Sequence, residues 1–129
     1  MSFQILIADD SEIIRAVLKR TLEMAKVPLA SLDLVQNGAE ALKVIQSKKI
    51  DVLFTDINMP EMNGVKLVEE LKGSEAFKDI PIVVISTEGS EQRISFLKEM
   101  GITNYLRKPF TPESIRKSLA GVLGDWGNE

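Results

Sequence analysis

The feature that most constrains this chain is an alternation repeated five times: a short apolar run, then a longer segment with apolar residues at helical spacing. The runs are Gln4–Ala8, Leu32–Gln36, Asp51–Thr55, Ile80–Ser86 and Thr103–Leu106. Leu32–Gln36 and Thr103–Leu106 are the weaker strand candidates. Runs this short and this apolar suit strands covered on both faces, as in parallel sheets. The amphipathic segments are Ser11–Lys26, Ala39–Gln46, Val65–Leu71, Glu91–Met100 and Pro112–Leu123. In the first, Ile13, Ile14, Val17, Leu18, Leu22 and Ala25 form a broad stripe. Gly101 follows the fourth as a C′ residue, and Thr111-Pro112 opens the fifth as an N-cap with Pro at the first helical position. The pattern predicts an α/β fold, (βα)5, with a doubly wound parallel five-stranded sheet and right-handed crossovers.

A length of 129 residues with 44% hydrophobic content fits one domain with a real core. The expected organisation is a single domain over 1–129, with its core at about 4–123, a frayed tail at 124–129 and no output domain. Trp126 is a candidate to pack back on the core. No window reaches the roughly 18 apolar residues of a membrane span, and the N-terminal apolar run breaks at Asp9, unlike a signal peptide. A cytoplasmic location with no membrane partner is therefore expected. The net charge of −3 provides no basic footprint for nucleic acid. With no Cys and no His, thiolate chemistry, Cys-ligated zinc, Ser-His-Asp triads and an internal histidine-to-aspartate relay are excluded. Any phosphoryl donor must be another molecule.

In open parallel sheets, ligands bind beyond the carboxyl ends of the strands. Asp9 and Asp10 follow the first run, Asp56 the third, Ser86 ends the fourth, and Lys108-Pro109 follows the fifth. Three carboxylates in one crevice raise one another's pKa unless a cation intervenes. Mg²⁺ suits the set, because it takes oxygen ligands from one or two carboxylates plus phosphate and water. Capping of the helix near Ser11 explains Asp9 and Asp10 equally well. Asp56, taken alone, reads more readily as a helix cap than as an acceptor forming an aspartyl phosphate. The loop Asn58-Met59-Pro60 through Asn63-Gly64 is turn-rich and suited to holding that acceptor still. Ser86 alone is an ordinary turn residue, and a lone Lys108 is ordinarily a solvated surface charge. A cis Lys108-Pro109 bond would turn the lysine toward the crevice, which the sequence does not decide. It is the joint placement, at successive strand ends of one frame, that points to phosphoryl chemistry.

The segments Leu-Ile-Ala-Asp-Asp-Ser, Phe-Thr-Asp-Ile-Asn-Met-Pro-Glu-Met-Asn-Gly, Val-Val-Ile-Ser-Thr and Asn-Tyr-Leu-Arg-Lys-Pro-Phe resemble the response-regulator receiver domain of two-component systems, in its stand-alone CheY-like form. The resemblance runs from Ile5 to about Leu123. It implies the strand order 2-1-3-4-5, which is the order of CheY itself among doubly wound folds. It implies Asp56 as phosphoacceptor, with Asp9, Asp10, Asp56 and the backbone carbonyl of Asn58 holding Mg²⁺ or Mn²⁺. Lys108 is then the phosphate partner, Ser86 the switch hydroxyl and Tyr105 the switch aromatic; by itself, Tyr105 reads as a packed aromatic. The donor implied is a sensor histidine kinase or a phosphotransfer protein. The implied output is a protein target on the face of the fourth helix, fifth strand and fifth helix, around Ile94 and Tyr105. Chemotaxis signalling is the associated role. The protein is then no enzyme beyond its self-catalysed phosphoryl acceptance and slow autodephosphorylation, and is a monomer or a phosphorylation-dependent dimer. Ile94 and Phe96 cannot share one narrow buried stripe, so one of them is expected near the surface.

The resemblance also implies that Asn58 and Glu88, two residues after Asp56 and Ser86, flank the phosphate and tune the rate, and Thr87 is expected to tune it too. Thr87 stands where many receivers have Ala, and its bulk narrows the donor's approach. Thr87→Ala is expected to speed phosphorylation by acetyl phosphate; an unchanged or slower rate would refute this. Three other readings compete. A haloacid-dehalogenase-like phosphatase, with an Asp nucleophile, needs a second acid where Asn58 stands. A flavodoxin-like cofactor binder needs a phosphate-cradling first turn, where this chain has Asp-Asp-Ser. A phosphorylation-independent interaction domain would be supported by loss of a site residue, and none is missing.

Overall fold

The computed structural model describes residues 2–86 and 91–124. Along the chain run β1 (Phe3–Ala8), α1 (Glu12–Met24), β2 (Leu29–Val35), α2 (Gly38–Ser47), β3 (Val52–Asp56), α3 (Gly64–Lys72), β4 (Ile82–Ser86), α4 (Glu91–Glu99), β5 (Tyr105–Arg107) and α5 (Pro112–Leu123). The strands form one parallel sheet in the order β2-β1-β3-β4-β5, as expected.

Period-two alternation divides the apolar strand residues between two cores. Ile5, Ile7, Phe54, Val83 and Ile85 pack with Leu18 and Leu22 of α1 and with Ile115 and Leu119 of α5. Leu6, Leu53 and Val84 face the other way, onto Ala41 and Ile45 of α2, Leu67, Val68 and Leu71 of α3, and Leu97 of α4. Burying both faces explains why the central strands read as unbroken apolar runs.

Several boundaries differ from the sequence expectation. β2 begins at Leu29, not Leu32, because Phe3 donates its N–H to the Pro28 carbonyl (2.8 Å) and pairs with Leu29. β4 begins at Ile82, since Pro81 has no N–H to give, although its carbonyl accepts from Leu53 N–H (2.9 Å). β5 is shifted to Tyr105–Arg107. α1 stops short of Lys26, whose φ of 59° is left-handed. The α1 stripe is narrower than its composition implies: Leu18 and Leu22 are buried, but Ile13 is 76% exposed and Val17 42%. Around α4, Phe96 is the surface residue (40% exposed), whereas Ile94 is half-buried against the core. Gly101 follows α4 at φ 93°, and Thr111 is the N-cap of α5 with Pro112 at its first helical position, both as expected; Thr111 and Ser114 also form a capping box. Thr87, Glu88 and Trp126 lie outside the described residues.

Candidate functional site

Parallel strands bring their carboxyl ends to one edge of the sheet. β1 lies beside β3, and β3 beside β4, so Asp9, Asp56 and Ser86 meet there. The Lys108 N–H donates to the Ser86 carbonyl (3.1 Å), which carries the chain after β5 to the same edge.

Asp9 is fully buried. Its Oδ1 accepts from the Ser11 N–H at 2.9 Å. Its Oδ2 lies 3.7 Å from Lys108 Nζ, too far for a hydrogen bond, and is a buried oxygen without a hydrogen-bond partner. Such an oxygen is costly unless something else satisfies it. Helix capping does not account for it, because Ser11 is the N-cap of α1 and accepts from the Ile14 N–H (3.2 Å). Burial pushes the Asp9 carboxyl above its ordinary value, against the opposing pull of the Ser11 N–H and the Lys108 ammonium.

Asp56 is half-buried at the end of β3, and its Oδ1 accepts from the Ile57 N–H (2.8 Å). Burial, and then the charge of Asp9, push its carboxyl up; Lys108 pulls it down. Asp10 is exposed. Ligand oxygens of Asp9, Asp10 and Asp56 all lie within 4.8 Å of one another. The donor set is all oxygen, one buried oxygen lacks a hydrogen bond, and burial, with neighbouring like charge added, pushes two of the carboxyls up. The residues therefore fit a hard divalent cation.

The loop after β3 is held on both sides. Gly64 N–H donates to the Ile57 carbonyl (2.8 Å), and Gly38 N–H donates to the Met62 carbonyl (2.8 Å). A Cβ on Gly64 would come within 2.0 Å of the Asp56 carbonyl oxygen, and one on Gly38 within 2.7 Å of the Met62 oxygen. Asn63 and Asn37 cap the two helices, accepting from Lys66 N–H (2.9 Å) and Glu40 N–H (2.8 Å). Asn58 is exposed on the rim.

Ser86 is buried. The Lys108-Pro109 bond is cis. Tyr105 is half-buried and donates its hydroxyl to the Ile102 carbonyl (2.8 Å); burial raises its phenol pKa. It lies on β5, paired with Val84, two positions before the Ser86–Arg107 pair. Sequence reasoning missed Arg15, whose Nη1 donates to the Asp9 carbonyl at 2.7 Å. The only available signal was its place four residues after the N-cap, and that marks a helix position, not a role. It also missed the close approach of Gly38 and Gly64, since Asn-Gly reads locally as a turn.

A doubly wound sheet with an acid cluster, a buried hydroxyl and a lysine at its carboxyl edge is the arrangement expected of a receiver domain. The sequence profile described as response regulator receiver domain matches residues 5–120. The chain is 35% identical to a chemotaxis protein CheY homolog of Campylobacter jejuni, over 98% of this chain and 96% of the other. It is 37% identical to chemotaxis protein CheY1 of Helicobacter pylori, over 94% and 97%. The structure of chemotaxis response regulator CheY4 of Vibrio cholerae superposes with a TM-score of 0.81 at 34% identity, covering 95% and 100%. The chain belongs to the response regulator receiver domain family, with chemotaxis proteins of the CheY type among its relatives. No helix among the described residues is long and apolar enough to cross a membrane.

Proposed function

We propose that this chain is a receiver-domain phosphorylation switch in a chemotaxis-type two-component pathway, with Asp56 as the acceptor. The observation that carries the reading is the buried Oδ2 of Asp9, without a hydrogen-bond partner and 3.7 Å from Lys108 Nζ, in a cluster whose ligand oxygens from Asp9, Asp10 and Asp56 lie within 4.8 Å of one another. Asp9, Asp10, Asp56 and the Asn58 carbonyl would hold Mg²⁺ or Mn²⁺. The bound cation supplies charge neutralisation to the acids and to the phosphoryl oxygens.

Asp56 attacks phosphorus with one carboxylate oxygen, while its Oδ1 contact with the Ile57 N–H fixes the orientation. Phosphoryl transfer needs alignment and charge stabilisation more than covalent help, so a rigid acceptor matters. Lys108 moves from partial pairing with Asp9 to the new phosphate, as a point charge. Ser86 donates its hydroxyl to a phosphoryl oxygen. Tyr105 gives up its bond to the Ile102 carbonyl and turns toward the space beside Ser86. That change reshapes the surface of α4, β5 and α5, where half-buried Ile94 and Tyr105 would meet a protein target. The switch is a two-state element biased by phosphate charge. The donor is a histidine kinase or a phosphotransfer protein, as for the receiver-domain family, and this chain itself offers no His.

The test is intact-mass spectrometry after incubation with acetyl phosphate. A gain of one phosphoryl group is expected with Mg²⁺ and not with EDTA, mapping to the peptide that contains Asp56. A gain that is independent of divalent cation, or that maps to Ser or Thr, would sink the reading.

A further inference from the structure

The rim of the acid cluster carries a cation that the mechanism above does not use. A depression beside the cluster is lined by Asp10, Asn58, Met59, Pro60, Asn63 and Arg93. Among these described residues Arg93 is the only cation, and it reaches the rim from the third position of α4. It is exposed, and it also borders the groove between α3 and α4. Lys108 lies on the inner side, against buried Asp9. The two cations therefore flank the acid cluster differently: Lys108 beside buried Asp9, and Arg93 across a depression that exposed Asp10 also lines.

In-line transfer places the attacking and leaving atoms on opposite sides of phosphorus. Asp56, half-buried, attacks from the floor, so the leaving group departs outward across the rim. We infer that Arg93 is a specificity-determining residue that favours phosphodonors with an anionic leaving group, namely acyl phosphates, over donors whose leaving group is neutral. The inference rests on Asp56 being the acceptor. With an acyl phosphate, the P–O bond to the acyl oxygen breaks and its electron pair leaves on a carboxylate. A P–O bond to Asp56 forms, and no proton is required. The guanidinium meets the charge that builds on the departing carboxylate. With a phosphoramidate, the P–N bond of the N-protonated donor breaks and a neutral amine departs, leaving Arg93 nothing to stabilise. Attraction to the phosphoryl dianion is common to both donors and cancels in the ratio of their rates.

The experiment measures initial phosphorylation rates with acetyl phosphate and with phosphoramidate, at saturating Mg²⁺, for wild type, Arg93→Ala, Arg93→Lys and Lys49→Ala. Lys49 is exposed, lies before the opposite end of β3, and removes the same charge far from the site. A rate ratio does not depend on the folded fraction. The acetyl phosphate to phosphoramidate ratio is expected to fall about fivefold in Arg93→Ala, the scale of one exposed charge contact. Arg93→Lys should restore part of it, and added salt should lower the wild-type ratio toward the Ala value. A ratio unchanged in Arg93→Ala, or lowered equally in Lys49→Ala, overturns the inference while leaving Asp56 as acceptor. Wild type that is labelled by neither donor overturns the functional reading, and this inference with it.

Discussion

Replacing Asp56 by Asn is expected to abolish Mg²⁺-dependent phosphorylation and, at the same time, to raise the melting temperature of the metal-free protein. The first effect follows from chemistry: an amide oxygen is no nucleophile for phosphoryl transfer, and phosphate-affinity electrophoresis after acetyl phosphate should show no shifted band. The second follows from burial. The Asp56 carboxyl is pushed above its ordinary value by burial and by the charge of Asp9, so ionising it costs more in the folded chain than in the unfolded one. Above the folded pKa this is a penalty on the native state, which Asn removes while still accepting from the Ile57 N–H. In a domain of this size each 1 kcal/mol of relief raises the melting temperature by about 3–5 °C. The penalty disappears as pH falls through the raised folded value toward the unfolded 3.8, so the gap between variant and wild type should close on acidification. Mg²⁺ should reverse the order by stabilising wild type through mass action. Thermal melts in EDTA and in Mg²⁺, at neutral and acidic pH, measure all of this. A persistent Mg²⁺-dependent band in the Asn variant, or a lower melting temperature for it in EDTA, contradicts the assignment.

Gly64→Ala is expected to lower the melting temperature by about 5–10 °C and to slow phosphorylation in the molecules that stay folded. Two effects oppose each other at this position. Alanine gains up to about 1 kcal/mol of helix propensity over glycine, and less than that in a first turn. Against it, the new Cβ would sit 2.0 Å from the Asp56 carbonyl oxygen and 3.0 Å from Ile57 Cα. Those are backbone atoms of the acceptor's own segment, held by the Thr55 hydroxyl (2.9 Å) and by the Gly64–Ile57 hydrogen bond. Overpacking against a fixed backbone costs about 1–3 kcal/mol, so the clash wins. Relief of the clash moves Asp56 itself, and a small displacement of a nucleophile is expensive in an alignment-dependent reaction. A variant that melts with wild type and phosphorylates at the same rate would show that the helix entrance yields without disturbing the site.

Much of the fold was legible because burial on two faces leaves a simple trace. β1, β3 and β4 must be apolar on both sides, and the helices between them must be apolar on one. The strand boundaries were less legible. β2 lies at the sheet edge and has mixed exposure, so its pattern is diluted, and its start is set by pairing with Phe3, far away in sequence. The α1 stripe was over-read for a related reason: spacing shows which residues share a face, but not how far the neighbouring layer extends to cover it. Ile13 and Val17 lie past that limit.

By itself, the sequence determined the chemistry available to this protein. It placed acids, a hydroxyl and a lysine after successive apolar runs, withheld His and Cys, and put strong capping residues at the helix starts. These are local facts, written in residue type and spacing. Tertiary structure alone decided what the residues do to one another. It set β1 beside β3, which makes Asp9 and Asp56 share a charge problem. It buried Asp9 completely and left its Oδ2 without a hydrogen bond. It pressed Gly38 and Gly64 against the loop that follows the acceptor, and carried Arg93 from α4 to the rim. The physical reason is range. Capping and periodicity act over a turn or a strand, whereas desolvation, charge coupling and steric contact act between groups that only the folded chain brings within a few ångströms.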